Sequence, residues 1–296
     1  MTASNNQTVV SVEEYLKQAS ARTNAALERF LPGENEAPVD LHKAVRYSTF
    51  AGGKRLRPAL ALAAFEALGG EGDDILLAAC ALEMTHTFSL IHDDLPCMDN
   101  DDFRRGRPTN HKVFGEAMAI LAGDSLLVYA FELLARTGRP ESIATLARAL
   151  GTKGMLGGQV VDIQSEGKQV GLEAVNYIHR HKTAALIEAS LVLGAQIAGA
   201  EPEVVSDIAA FGNKIGLAFQ IVDDVLDLEQ TTETLGKDAG SDVAKGKATY
   251  PAVVGIAQSK VMARQLVDDA KTELRKLPLQ GGILELIADY IITRVH

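Results

Sequence analysis

Cysteine is almost absent from this chain, since Cys80 and Cys97 are the two thiols in 296 residues. Two thiols cannot form the disulfide framework of a secreted scaffold, which indicates a reducing compartment such as the cytoplasm. The N-terminal MTASNNQTVV lacks a basic segment followed by an apolar one, and no run of about 20 apolar residues is free of charge. The sequence therefore predicts neither a secretory signal nor a membrane span.

Basic residues are also in the minority, with 29 Lys and Arg against 39 Asp and Glu. The net charge of −10 argues against a nucleic-acid partner. A hydrophobic fraction of 47% is nevertheless enough to bury a large core. The chain is thus expected to fold as a globular protein.

Helical periodicity dominates the sequence, and alternating β-branched runs are lacking. Pro58 and Gly69-Gly70 delimit one helix, and Asp73 or Asp74 caps another that runs into the acidic stretch near residue 93. Further helices are predicted at 11–30, 41–51, 115–136, 141–156, 173–199, 203–230, 251–275 and 282–294. The pattern predicts a single all-α domain over residues 11–296, made of about ten or more helices without a sheet, after a disordered N-terminus at 1–10.

Two acidic motifs follow apolar helical runs. FSLIHDDLPCMD (88–99) has Asp93, Asp94 and Asp99, and LAFQIVDDVLD (217–227) has Asp223, Asp224 and Asp227. The first and last carboxylates of the second motif are four residues apart and share a helix face. In the first motif Pro96 breaks the helix, so Asp99 must return toward Asp93 through a distorted turn. One such cluster is often only a solvated helix end, but a facing pair indicates a site for Mg²⁺, with Mn²⁺ as a possible substitute.

Basic residues beside glycine recur elsewhere in the chain. They occur in GGKRLRP (52–58), Arg104-Arg105, HKT (181–183), GKD (236–238) and KGKATYP (245–251). Glycine allows close backbone approach, Arg forks onto two phosphate oxygens, and Lys supplies a compact charge. Each element alone is typical of a protein surface. Together with two metal-binding motifs, they predict a site for more than one diphosphate.

These motifs, in this order from about residue 40 onward, resemble the trans-prenyltransferases, the short-chain isoprenyl diphosphate synthases. The resemblance implies an all-α fold around a central cavity, a homodimer, and head-to-tail condensation of isopentenyl diphosphate with an allylic diphosphate. The segment TLGKDAGSDVAKGK (234–247) resembles a lid over bound phosphates. The family's basic C-terminal tail is reduced here to Arg294 and His296.

The resemblance also assigns roles to individual residues. Thr183 and Gln220 would steady an allylic cation, and Asp93, Asp94, Lys182 and Asp223 complete the expected catalytic set. The expected metal ligands are Asp93, Asp94, Asp99, Asp223, Asp224 and Asp227. The allylic diphosphate would contact Arg104, Lys182, Lys237 and Lys247, and isopentenyl diphosphate would contact Lys54, Arg57, His86 and Arg105.

Phe88 bears on product length. It lies five residues before Asp93, about 7.5 Å along the helix, and a ring there would close the floor of the cavity beside the small Ser89. In the resembling enzymes this pattern accompanies a fifteen-carbon product. The sequence thus predicts a farnesyl diphosphate synthase that uses dimethylallyl and geranyl diphosphates. The alternatives are a geranylgeranyl diphosphate synthase and a non-catalytic prenyltransferase-like subunit, although such subunits usually lose an acidic motif.

Overall fold

The structure, a computed structural model, describes residues 11–229 and 246–294. The expectations for residues 1–10, Lys237, His296 and most of the predicted lid fall outside the described residues. The described helices are α1 (Val12–Phe30), α2 (Val39–Thr49), α3 (Leu56–Ala67), α4 (Asp74–Asp93), α5 (Asn110–Phe114), α6 (Glu116–Arg136), α7 (Pro140–Leu150), α8 (Met155–Ser165), α9 (Leu172–Ile178), a π-helical turn (His179–Ala184), α10 (Ala185–Ile197), α11 (Pro202–Glu229), α12 (Tyr250–Val254), α13 (Ile256–Leu274) and α14 (Ile283–Thr293). The predicted all-α class is confirmed.

Several helix boundaries differ from the prediction for identifiable reasons. The helix predicted at 141–156 is two helices, because the chain turns between Leu150 and Met155. Glycine is required in that turn, since a Cβ at Gly154 would lie 2.2 Å from the carbonyl oxygen of Ala149. The helix predicted at 173–199 is divided by the π-helical turn. The expectation of no sheet was wrong in one place, since Phe103–Arg104 (β1) and Arg107–Pro108 (β2) form a two-residue antiparallel hairpin.

Helix α4 lies at the centre of the fold, against α6, α3 and α1. Its residues from Ile75 to Met84 are almost all fully buried. Small side chains bring the neighbouring helices close, and a Cβ at Gly194 of α10 would lie 2.3 Å from the Ala61 carbonyl oxygen of α3. The polar C-terminal end of α4 is thereby held in the interior, next to the cavities described below.

Two helices, α4 and α6, are long and apolar enough to cross a membrane when judged by length and composition alone. The apolar window of α4 is 72% buried, as in the core helix of a globular protein, whereas that of α6 is 39% buried. The outward face of α6 exposes Ile120, Leu121 and Val128.

Candidate active site

The first acidic motif begins at the last residue of α4. The Asp99 amide donates to the Asp93 carbonyl oxygen at 2.8 Å, which confirms that the chain folds back after Pro96 and returns Asp99 toward Asp93. Gln159 Nε2 of α8 donates to Asp93 Oδ1 at 3.0 Å. Burial raises the pKa of Asp93 to about 6, with nearby Lys182 opposing that shift and Asp99 adding to it. The carboxylate is thus charged at neutral pH but poorly solvated, a condition that favours a bound cation.

Asp94 is only 3% exposed and contacts Arg104 of the β1–β2 hairpin. Its Oδ1 accepts a hydrogen bond from Arg104 Nε at 2.7 Å and forms an ion pair with the Arg104 NH2 group at 2.6 Å. Burial raises the pKa of Asp94, and the bonds from Arg104 counter that effect. In this arrangement Oδ1 of Asp94 holds Arg104 in place and is engaged by a protein cation.

The second acidic motif lies near the end of α11. Asp223 has a side chain that is 41% exposed and accepts a hydrogen bond from Arg294 at 2.6 Å. Asp227 lies one helical turn later, as its spacing predicts, and is 2% exposed. Of the second motif, Asp223 is therefore the carboxylate that is open to the site.

Asp224 does not fit the expected role of metal ligand. Its Oδ1 accepts from Gln220 Nε2 at 3.0 Å. Its Oδ2 accepts from His179 Nε2 at 2.6 Å and from the Tyr250 amide at 2.9 Å. With a residue exposure of 3%, Asp224 ties α11 to the π-helical turn and to α12, because both of its oxygens face protein donors.

Three carboxylates remain as candidate ligands for Mg²⁺: Asp93, which accepts from Gln159, Asp99, which accepts from Lys247, and Asp223, which accepts from Arg294. Across residues 11–229 and 246–294, no three acidic, histidine or cysteine side chains converge on a single point. Mg²⁺ typically takes one or two protein carboxylates and completes its shell with waters and phosphate oxygens. The hard, anionic donor set fits the ion chemically.

Two lysines meet on Asp162 of α8. Lys182 Nζ donates to Asp162 Oδ2 at 2.6 Å, and Lys247 Nζ lies 3.3 Å from the same oxygen. Lys247 also donates to Asp99 at 3.0 Å and to Glu166 at 2.7 Å. These carboxylates raise the pKa of Lys247 against the opposing effect of burial. Lys247 is therefore charged beside the first acidic motif.

The π-helical turn places Lys182 and Thr183 on the cavity side. Thr183 Oγ1 donates to Gln220 Oε1 at 2.8 Å, so the two residues predicted to act together do lie together. A π-helical turn is rare and is frequently found at functional sites. Here it is anchored by the buried His179–Asp224 hydrogen bond.

The four residues predicted to bind isopentenyl diphosphate all line one cavity of about 420 Å³, which also contains Asp223 and Arg294. Burial lowers the pKa of Lys54, Arg57 and Arg105. Burial, together with Arg57 and Arg105, also lowers the pKa of His86 far below its usual value, so His86 is neutral. The cavity thus presents three poorly solvated cations and one neutral imidazole to an anion.

Arg105 reaches this cavity because of glycine. A Cβ at Gly53 would lie 2.7 Å from the Arg105 guanidinium, and Arg105 donates to the Gly52 carbonyl oxygen. Gly53 also has φ +119°, which favours glycine. The GGK element therefore lets the backbone pass beneath the guanidinium.

A second cavity, of about 360 Å³, adjoins the first and shares Arg57 and His86 with it. Asp93, Lys182 and Thr183 line its polar part. Apolar residues line the remainder: Phe88, Leu90, Leu95, Met98, Met155, Leu156 and Leu186. Ser89 also lies on the wall. A ligand with a charged head and an apolar tail matches this division.

Sequence reasoning missed several residues of the site. Gln159 and Asp162 are three apart in GGQVVDIQ and so share one face of α8, which was a usable signal. Arg55 and Glu83 form a buried ion pair at 2.6 Å, and Glu83 lines the 420 Å³ cavity. No local pattern links these two residues, because they lie 28 positions apart.

Replacing Asp162 by asparagine is expected to raise the KM of an allylic diphosphate about tenfold or more, because the residue positions both Lys182 and Lys247 by charge. Steady-state kinetics with each diphosphate varied separately would measure the two KM values. The matched control is Asp207→Asn, an exposed carboxylate on α11. An equal rise in the KM of both diphosphates would show general damage instead of loss of this positioning.

Comparison with known proteins assigns the chain to a family. Residues 38–277 match the family model described as polyprenyl synthetase. The chain is 46% identical over 295 residues to a farnesyl diphosphate synthase of Geobacillus stearothermophilus, covering 97% of this chain and 99% of that protein. It is 49% identical over 266 residues to a chloroplastic geranylgeranyl pyrophosphate synthase of Catharanthus roseus, covering 87% and 74%.

Among solved structures, a polyprenyl synthase of Caulobacter crescentus complexed with calcium and isoprenyl diphosphate superposes with a TM-score of 0.87. The sequence identity is 28%, and the match covers 98% of this chain and all of that one. The all-α arrangement seen here is thus the same fold.

Proposed function

The chain belongs to the polyprenyl synthetase family and is a prenyltransferase, and we propose that it is a farnesyl diphosphate synthase. It would condense isopentenyl diphosphate with dimethylallyl diphosphate and then with geranyl diphosphate, releasing pyrophosphate each time. The observation that carries the product length is Phe88, whose ring is 6% exposed on the wall of the 360 Å³ cavity.

Magnesium fits the anionic oxygen donors of this site, and Asp93, Asp99 and Asp223 would hold it. When bound, it would neutralise charge on the allylic diphosphate and so improve the leaving group. Lys182, Lys247 and Arg104 would bind the remaining phosphate oxygens, with Lys237 expected to join them. In the present arrangement Lys247 is bound to Asp99 and Arg294 to Asp223, so two of the expected metal ligands already hold cations.

The second diphosphate, that of isopentenyl diphosphate, would occupy the 420 Å³ cavity lined by Lys54, Arg57, His86 and Arg105. The two cavities share Arg57 and His86, which would bring the two substrates side by side. Arg294 lies over the Phe219 ring at 3.9 Å in the same cavity and provides a further positive charge.

The chemistry then requires no protein nucleophile. The carbon–oxygen bond of the allylic diphosphate breaks, the double bond of isopentenyl diphosphate attacks the resulting cation, and a proton passes to the departing pyrophosphate. Thr183 lines the cavity with its hydroxyl hydrogen committed to Gln220, so its oxygen lone pairs can stabilise the cation. The apolar wall excludes water from it.

The chain is further proposed to act as a homodimer. The apolar side chains Ile120, Leu121 and Val128 on α6 are exposed, and a second copy packed on this face would bury them. Sedimentation that gave the monomer mass of 31.6 kDa at micromolar concentration would contradict this proposal.

The test of the proposed function is a product assay with purified protein, Mg²⁺, labelled isopentenyl diphosphate and dimethylallyl diphosphate. A fifteen-carbon end product is expected. A twenty-carbon end product would favour geranylgeranyl diphosphate synthase, the second candidate, because relatives with that activity in their names are equally similar. Absence of condensation would favour a non-catalytic subunit.

Phe88→Ala is expected to extend the product, raising the ratio of twenty-carbon to fifteen-carbon alcohol at least tenfold, because removal of the ring deepens the cavity. Chain lengths would be resolved after dephosphorylation. The matched control is Phe65→Ala, which removes the same ring from the core face of α3 away from this cavity. An unchanged product from Phe88→Ala would contradict the role of Phe88 as a floor.

A further inference from the structure

The Phe88 ring does not stand alone at the end of the cavity. His92 lies one helical turn later on α4, and the two rings meet edge to face, with centroids 5.2 Å apart and planes at 81°. Both residues line the 360 Å³ cavity. Because Phe88 is 6% exposed while the His92 side chain is 26% exposed, His92 forms the outer support of the ring.

The imidazole of His92 is in turn fixed by α6. Its Nε2 lies 3.1 Å from the Ile120 carbonyl oxygen, a distance at which an Nε2 hydrogen is donated to that oxygen. This hydrogen bond reaches across 28 residues of sequence to a neighbouring helix. Rotation of His92 away from Phe88 would break it, so the bond holds the ring in one orientation.

Gly123 provides the space for that orientation. A Cβ at this position would lie 2.3 Å from His92 Nε2 and 2.5 Å from His92 Cδ2. Glycine inside a helix is less stabilising than alanine, so its presence here has a local cost. At this buried position of α6, the glycine allows the imidazole to lie against the helix backbone.

We propose that His92 and Gly123 determine product length by holding Phe88 in place as the floor of the cavity. Phe88 alone would supply bulk, and His92, seated on α6 because residue 123 has no side chain, would supply the fixed position. The proposal rests on the proposed function, since it concerns the length of the chain that the cavity accommodates.

Two substitutions are expected to change the product in opposite directions. His92→Ala removes the support and frees the Phe88 ring to rotate aside, so the ratio of twenty-carbon to fifteen-carbon product should rise at least fivefold. Gly123→Ala forces the imidazole off α6 toward Phe88 and narrows the cavity, so the ratio of ten-carbon to fifteen-carbon product should rise by a similar factor. The ratio is the readout, because His92 precedes Asp93 and its loss can alter the rate.

The double variant His92→Ala/Gly123→Ala is the matched control. With no imidazole to displace, the added methyl group should have no effect, and the double variant should give the longer products of His92→Ala. Independent effects of the two substitutions would instead overturn the proposed contact. Circular dichroism of each variant would verify that the fold is retained.

The product of the wild-type protein in the same assay distinguishes a failure of the proposed function from a failure of the role proposed for His92 and Gly123. If it makes no condensation product, or mainly a twenty-carbon one, the proposed function fails. If it makes fifteen carbons while both single variants do the same, the proposed function stands and the role of His92 and Gly123 is refuted.

Discussion

Replacing Asp93 by asparagine is expected to lower kcat at least about 10³-fold at saturating Mg²⁺, the scale of losing an electrostatic stabiliser of a transition state. The half-buried side chain accepts a hydrogen bond from Gln159 and lies in the field of Lys182, and burial raises its pKa to about 6. An amide of the same size preserves the hydrogen bond from Gln159 but removes the charge. A divalent cation would lose one of the three carboxylates proposed to hold it.

The matched control is Asp102→Asn, which changes the same residue type in the same acidic stretch. Asp102 lies on the outside of the β1–β2 hairpin and pairs with Lys112 at 2.7 Å, with a side-chain exposure of 60%. Its kcat should stay within about twofold of wild type, because an exposed ion pair contributes little. An Asp93→Asn protein that kept a tenth of its activity would contradict the assignment.

The acidic motifs show how far sequence reasoning could go. Spacing and the Pro96 break predicted that Asp99 returns to Asp93, and the structure has that hydrogen bond. The sequence did not distinguish the open carboxylates, Asp93 and Asp223, from their neighbours Asp94 and Asp224. Adjacent helical residues point about 100° apart, so only one of each pair can face the site. The other is then free to bind structural donors such as Arg104 or His179.

The basic residues of the site could also be predicted only in part. Lys54, Arg57, His86 and Arg105 were predicted from motif resemblance, and the fold brings all four to one cavity. The nearby counter-charge of Glu83 was not predicted, because no local pattern links this residue of α4 to Arg57 or Arg105. The division of 173–199 by a π-helical turn was missed for a related reason, since the turn is tied to the tertiary contact between His179 and Asp224.

Glu83→Gln is expected to lower the free energy of unfolding by about 3 kcal/mol, near the lower end of the cost of leaving a buried charge unpaired. Glu83 and Arg55 have side chains that are each 2% exposed, and Oε1 accepts from Arg55 at 2.6 Å. The glutamine can still accept that hydrogen bond but no longer compensates the guanidinium charge. Urea unfolding followed by circular dichroism would measure the change, with the slope of the transition compared between variants.

The control pair is Arg275 and Glu285, which meet at 2.8 Å with side-chain exposures of 61% and 31%. Glu285→Gln should change the free energy of unfolding far less than Glu83→Gln does, because water screens the pair. A loss in Glu83→Gln no larger than that in Glu285→Gln would show that the interior around Arg55 is well solvated.

The cost of losing Glu83 would extend beyond stability. Arg55 also donates to Asn24 Oδ1 of α1 at 3.0 Å and to the Thr49 carbonyl oxygen of α2 at 2.6 Å, so one guanidinium connects three helices. It lies between Lys54 and Arg57 in sequence, and Glu83 favours the charged form of Arg57. A buried ion pair gives little net stability compared with apolar residues of the same size. Its value here is positional, and Glu83→Gln should therefore raise the KM of isopentenyl diphosphate more than that of the allylic diphosphate.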